Sequence, residues 1–314
     1  MLKDVCISPA VFENLSNTDY SWMELANALQ ILAVSNSGYL VAVQNKQWLK
    51  QVYDHLNHLD PKIKDKIGKH LGLLKDRKLI VGQPILQDAQ CNSLEDWSNT
   101  IHTLHSIRPF CAVIDPLYSD NSDSAVTNIE DINSIQRLSY DGSIAMVKTE
   151  KNLTRLLTPF LSYAKKLTIV DPYFNLTKER YSKTLEICSE LLRERRNDRD
   201  NGQIHIHAKW QDLTNYQIEQ LRKSFHGLSS KQPHRLTFSL WDDSESSIKM
   251  HDRYLLTDQA GLVAAAGVDV DARQQSEWSL KQYTELNTIL MQYDPNSSPF
   301  ELKLKISDDG VMVF

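Results

Sequence analysis

The sequence predicts an α/β protein of two domains, a smaller α/β domain over residues 1–140 and a second over residues 141–314. Three observations point there. Short β-branched, apolar stretches alternate with longer ones whose apolar residues recur at helical spacing. A chain of 314 residues exceeds the usual size of one domain. Near the middle, Tyr118 to Ala125 is made almost entirely of turn formers, as expected of a surface loop near a domain junction.

An apolar share of 41% without a long apolar run indicates a soluble chain with a real core and no bilayer-spanning segment. Met1 to Val5 lacks the basic start and apolar stretch of a secretory signal, and Cys6, Cys91, Cys111 and Cys188 are widely spaced. Both features predict a cytoplasmic protein with reduced thiols. The net charge of −5 means that any contact with a polyanion must come from a local basic patch.

In the first domain, Val5–Ile7 is a short strand candidate, Trp22–Ala33 carries a helical apolar period, and Tyr39–Val43 reads as a strand. Helices follow over Gln47–Leu56 and Pro61–Leu74, the second with Pro61 suited to its first turn. Leu79–Val81 and Phe110–Ile114 are expected as central strands. Asp4 and Asp115 are the carboxylates that fall beside strands, a thin basis for a degenerate nuclease-like site. The pairs His55/His58 and His102/His105 have a spacing that can ligate a metal, but no cysteine or carboxylate cluster completes a set. They are read as polar helix faces, and no metal is predicted.

From Asp141 onward, Leu153–Tyr163 is an amphipathic helix and Leu167–Val170 a strand ending at Asp171-Pro172-Tyr173. Asn175 or Thr177 would cap the next helix, which runs to about Arg196. Ligands of open α/β sheets bind beyond the carboxyl ends of strands, so Asp171 and Tyr173 are candidate contacts, the alternative being a turn with a buried tyrosine. The cations Arg193, Arg195, Arg196 and Arg199 complement a helix end and solvate a loop. Ile204–Trp210 alternates, placing His205, His207 and Lys209 on one face. Lys209, near the strand's exit, is a candidate phosphate contact. After a helix over Asn215–Phe225, Leu236–Trp241 is a strand entering the acidic turn Asp242–Glu245.

Lys249 to Asp258 reads as the central strand of this domain, with Met250, Tyr254, Leu255 and Leu256 interrupted by His251, Asp252 and Arg253. Burial alone gives no reason for those polar residues. In an extended chain His251 and Arg253 share a face, a nucleophile beside a guanidinium that can grip phosphate oxygens.

The spacing His251-x-Arg253-x4-Asp258 resembles the His-x-Lys-x4-Asp motif of the phospholipase D superfamily, with arginine in the lysine position. Leu167–Phe174 looks like that fold's opening strand, and Gly261–Asp269 like the strand and glycine turn that follow its motif. Where the superfamily has a small polar pair after the glycine turn, this chain has Ala265-Ala266 before Gly267, and Asp269 stands where an amide is usual. The likeness covers about residues 150–314, implies for the second domain a mixed sheet flanked by helices, and is closer to the branch carrying His-Asp-Arg, found at the carboxy end of MIT-domain proteins, whose implied role is membrane binding rather than cleavage.

The resemblance implies a metal-independent phosphodiesterase without cofactors, most simply a nuclease acting on DNA or RNA in a host-defence or mobile-element system. His251 would form a phosphohistidine, Arg253 would neutralise the equatorial oxygens, and a second histidine would protonate the leaving oxygen. With one motif per chain, that histidine would come from a second copy, so a symmetric homodimer is implied, and a partner protein of the same system is a further candidate. Asp258 and Asp269 complete the candidate catalytic set; Lys209, Tyr173, Asp171 and Glu285 are candidate substrate contacts. Asp269, or else Glu277 or Glu285, would orient His251. The alternative is an inactive binding module engaging a protein partner or an anionic lipid surface, its motif kept for folding with Arg253 and Asp258 as a buried pair. Phospholipid cleavage fits less well, since no apolar membrane-docking stretch is present.

Overall fold

The computed structural model describes residues 2–13, 15–17, 20–33, 39–43, 47–82, 91–118, 123–129, 142–193, 202–281 and 283–314. The chain divides into two units, Leu2–Asp141 and Gly142–Phe314. Both are α/β, as the sequence predicts.

The first unit runs β1 (Lys3–Ile7), α1 (Ala10–Glu13), α2 (Ser21–Ala33), β2 (Tyr39–Val43), α3 (Trp48–Leu56), α4 (Pro61–Asp76), β3 (Ile80–Gly82), α5 (Leu94–Ile107), β4 (Ala112–Ile114) and β5 (Val126–Thr127). Its strands form one parallel sheet in the order β3-β2-β1-β4-β5. Parallel strands are covered on both faces, and β2, β4 and the part of β1 after Asp4 are accordingly apolar runs. The helix starts are written locally: Asp60 caps α4 ahead of Pro61, and Ser93 with Asp96 forms a capping box on α5. Trp48 of α3 is fully buried, donates its Nε1–H to the Ile7 carbonyl at 2.7 Å and meets Phe12 edge-on.

Asp4 and Asp115 do not form a site. Asp4 sits near the start of β1 and accepts from the Cys111 N–H at 3.1 Å, whereas Asp115 lies past the end of β4 and accepts from Ser98 at 2.6 Å. Because β1 and β4 are parallel, these are opposite ends of the sheet. The histidine pairs diverge as well. His102 reaches Asp115 at 3.3 Å and His105 reaches Asp123 at 3.0 Å, while His58 lies beyond the end of α3. The loop read over Tyr118–Ala125 falls partly outside the described residues.

The second unit runs β6 (Ser143–Lys148), α6 (Glu150–Leu161), β7 (Lys166–Val170), α7 (Glu179–Arg193), β8 (Gln203–Lys209), α8 (Asn215–Ser229), β9 (Arg235–Asp242), β10 (Tyr254–Leu256), β11 (Gly261–Ala264), β12 (Asp271–Lys281), α9 (Tyr283–Met291), β13 (Glu301–Ser307) and β14 (Gly310–Val313). One mixed sheet has the order β14-β13-β9-β8-β7-β10-β11-β12-β6. Its centre, β7-β8-β9, is parallel and joined by the crossover helices α7 and α8; every flanking pair is antiparallel. Val170, Trp241 and Tyr254 pack on one face with Leu286 and Ile289 of α9 and with Tyr293 and Phe300. Phe238 and Leu240 alternate with Trp241 along β9 and therefore face the other way, toward Leu221 of α8.

Two boundaries differ from expectation. Asn175 closes a turn by accepting from the Thr177 N–H at 2.9 Å, and α7 starts only at Glu179. Arg195, Arg196 and Arg199 lie outside the described residues. The strand expected over 249–258 shrinks to Tyr254–Leu256. β7 ends at Val170, just before Asp171 and Pro172, and proline has no N–H to extend the ladder. The Lys249–Met250 segment is tied instead to the preceding turn: the Met250 N–H donates to Asp243 at 2.8 Å, and Lys249 Nζ donates to the Asp243 and Ser244 carbonyls.

Candidate functional site

At the carboxyl end of β7 the chain must turn away from the sheet, and Asp171 does the holding. Fully buried, its carboxylate accepts from the Tyr173 N–H at 2.9 Å and, through its other oxygen, from the Val268 N–H at 3.2 Å. The second bond reaches across 97 residues and fixes the turn after β11 against the exit of β7. Burial pushes the Asp171 carboxyl up, opposed by those two amides and by Arg253, whose Nε lies 3.9 Å away.

Arg253 is held from three sides. Besides Asp171, its Nη1 donates to the Ala265 carbonyl at 3.1 Å, and its guanidinium lies over the Tyr173 ring at 5.3 Å. With the Arg253 side chain 25% exposed, one part of the fork is fixed by protein and another reaches solvent.

The following turn adds two cations that the sequence reading did not single out. Lys148, at the end of β6, is fully buried; its Nζ donates to Asp269 at 2.7 Å and to the Ala266 carbonyl at 2.9 Å. Arg180, in the first turn of α7, comes within 3.4 Å of the other Asp269 oxygen, close enough for charge attraction but not aligned as a hydrogen bond, so that among the described residues this oxygen has no donor. Gly267 makes room for this cluster. Its φ is +91°, and a Cβ there would stand 2.8 Å from the Asp269 carboxylate. Lys148, Arg180 and Arg253 thus face Asp171 and Asp269, three cations against two carboxylates.

The expected set is therefore only partly assembled. Asp171, Tyr173, Arg253 and Asp269 come together. Asp269 does not orient His251; it serves Lys148 and Arg180 instead. Asp258 is remote from Arg253, because Tyr254 pairs with Val170 and Leu256 with Thr168, which carries Asp258 toward the start of β7. There it accepts from the Lys165 N–H at 3.4 Å, so the expected Arg253–Asp258 pair does not form. Lys209 is engaged by the buried Asp243 at 2.8 Å and is not a free phosphate contact. Glu277 is exposed on β12.

His251 is exposed and, among the described residues, has no hydrogen-bond or ion-pair partner. It lines a cavity of about 310 Å3 with Tyr254, Tyr293, Lys281 and Glu285. Glu285 is paired there with Lys281 at 2.6 Å, and it is the predicted carboxylate that shares a cavity with the imidazole. Neither β8 histidine reads as a proton donor near neutral pH. His207, buried against Trp241 and Tyr293, accepts from the Trp241 indole at 3.0 Å and is pushed down to about 3 by burial; His205 is pushed down to about 4.

One sequence signal marks Arg180: a cation in the first turn of a helix opposes the helix dipole and asks for a carboxylate partner. Lys148 gives no such signal, being a single lysine at the exit of an edge strand.

No family model and no curated protein matches the chain. Among solved structures, that of TrmBL2, described as an archaeal chromatin protein with a novel mode of DNA binding, aligns over 79% of this chain and 79% of its own at 12% identity, with a TM-score of 0.28. A likeness that low carries no argument about fold or function. Among the described residues no helix is long and apolar enough to cross a membrane.

Proposed function

We propose that the second unit is a phospholipase D-like domain that binds a nucleic-acid phosphodiester at Arg253 and cleaves it through His251. The observation that carries this reading is the arrangement of Arg253, fixed on one side by Asp171, Ala265 and Tyr173 yet open to solvent, with the unpartnered His251 two residues upstream. A prefixed guanidinium loses little freedom on gripping a phosphate. In the step itself an imidazole nitrogen of His251 bonds to phosphorus, the leaving oxygen departs with a proton from a second imidazole, and water then hydrolyses the phosphohistidine. With His207 and His205 unsuited to that donor role, the partner subunit's His251 is assigned it in a symmetric dimer.

Incubating the purified protein with labelled single-stranded DNA, duplex DNA and RNA in excess EDTA tests this directly. The expected outcome is cleavage of at least one substrate by the wild type and none by His251→Ala, with both proteins folded. Cleavage that survives His251→Ala would sink the mechanism.

A second reading, a binding module for a protein partner or an anionic lipid surface, is favoured by one observation: Asp269 is spent on Lys148 and Arg180, and no described carboxylate hydrogen-bonds His251 to orient it. Salt-sensitive binding without turnover of any of the three nucleic acids would select that reading.

A further inference from the structure

A second cavity, distinct from the one His251 lines, includes Tyr173, over whose ring Arg253 lies. Lying between α8, β9 and the turn after β7, it has a volume of about 580 Å3, within the size range of ligand sites. Its floor is apolar, built from the buried Phe174, Leu221, Phe238 and Leu240. Its walls carry two aromatic rings that the fold leaves in water, Tyr173 at 58% exposure and Tyr216 at 72%.

We propose that this cavity is a nucleobase pocket, which takes one unstacked base of a single-stranded nucleic acid whose neighbouring phosphate lies at Arg253. The inference rests on the reading of Arg253 as a phosphate contact and narrows its substrate to strands with accessible bases. Continuity is the first argument. Tyr173 belongs to the cavity wall and also carries the Arg253 guanidinium over its ring, while Arg180 lines the cavity and reaches back to Asp269. One ligand can therefore touch both places.

Chemistry is the second argument. Exposed tyrosine rings over an apolar floor are what a flat base stacks on. Gln211 and Gln220 line the same cavity with side-chain amides that, among the described residues, have no hydrogen-bond partner, so donors and acceptors face a base edge. Gln217 is different, its side-chain oxygen being engaged with Thr214. Lys178 at the rim has no ion-pair partner among the described residues and offers its charge to the backbone. An apolar peptide side chain would cover the floor but leave these amides and this ammonium unmatched. A duplex would have to unpair and extrude the base first, so single strands are favoured.

The test compares affinities, by fluorescence anisotropy in EDTA at low salt, for a single-stranded oligonucleotide and an abasic strand of equal length. Each is measured with the wild type, Tyr216→Ala and Arg253→Ala. The expected result is roughly tenfold or more tighter binding of the base-bearing strand by the wild type, in line with stacking on one ring. Tyr216→Ala should erase that preference and leave abasic binding unchanged; the ring is on the surface, so folding is not at stake, and Gln220→Ala provides a milder second variant. Equal binding of the two strands by the wild type, each weakened by Arg253→Ala, overturns the pocket and leaves the phosphate contact standing. Binding of neither strand overturns both.

Discussion

Lys148 is the residue whose loss the second unit should feel most. Its ammonium is fully buried against Asp269 and the Ala266 carbonyl. Truncating one partner of a buried pair leaves the other charge uncompensated, whereas replacing both by apolar groups of similar size is often tolerated. Lys148→Met is therefore expected to lower stability by about 3 to 5 kcal/mol, and adding Asp269→Leu should restore most of it, as read from urea midpoints. If Lys148→Met costs no more than an ordinary surface change, Asp269 is adequately served by Arg180. Gly267 belongs to the same cluster: its left-handed φ and the 2.8 Å approach a Cβ would make to Asp269 are one requirement expressed twice.

At the level of elements, β8 makes the unit sensitive to acid. Burial pushes His207 down to about 3, well below its unfolded value of 6.5, so between those values the unfolded chain binds the proton that the folded chain refuses. Stability should accordingly be full above pH 6.5 and fall toward pH 3, with a slope approaching 1.4 kcal/mol per pH unit from this group. His207→Gln keeps an acceptor for the Trp241 indole and should flatten the profile of urea midpoint against pH; an unchanged profile would assign the sensitivity elsewhere. How far such elements can be read from sequence depends on where their forces come from. β2 and α2 were legible because apolar period and propensity are local. The 249–253 segment was not, since it is held by Asp243, an aspartate that reads as a member of an acidic turn until Met250 and Lys209 are seen to bind it. The candidate site divides the same way. Asp171 and Tyr173 stand past a strand exit, Arg253 at a strand entry and Asp269 after a glycine turn, which pattern reveals, whereas Lys148 and Arg180 acquire meaning only from a partner far along the chain.

For the molecule as a whole, the nine described strands of the mixed sheet fall within residues 142–314, and so do the residues of the candidate site. A protein comprising those residues alone should unfold in urea in one cooperative transition, with near-ultraviolet circular dichroism from Trp241 and Trp278 present in the folded state. A gradual transition without a folded baseline would mean that the unit is not autonomous.

The bond from Lys148 to Asp269 spans 121 residues of sequence, and β6, the first strand of the second unit to be made, pairs with β12, one of its last. Closing so long a loop comes late in folding. During synthesis, therefore, Lys148 leaves the ribosome long before its carboxylate exists and must wait, hydrated, at a strand with no neighbour. Completion of the sheet and assembly of the charged cluster become one event, and a chain cut short before Asp269 presents neither.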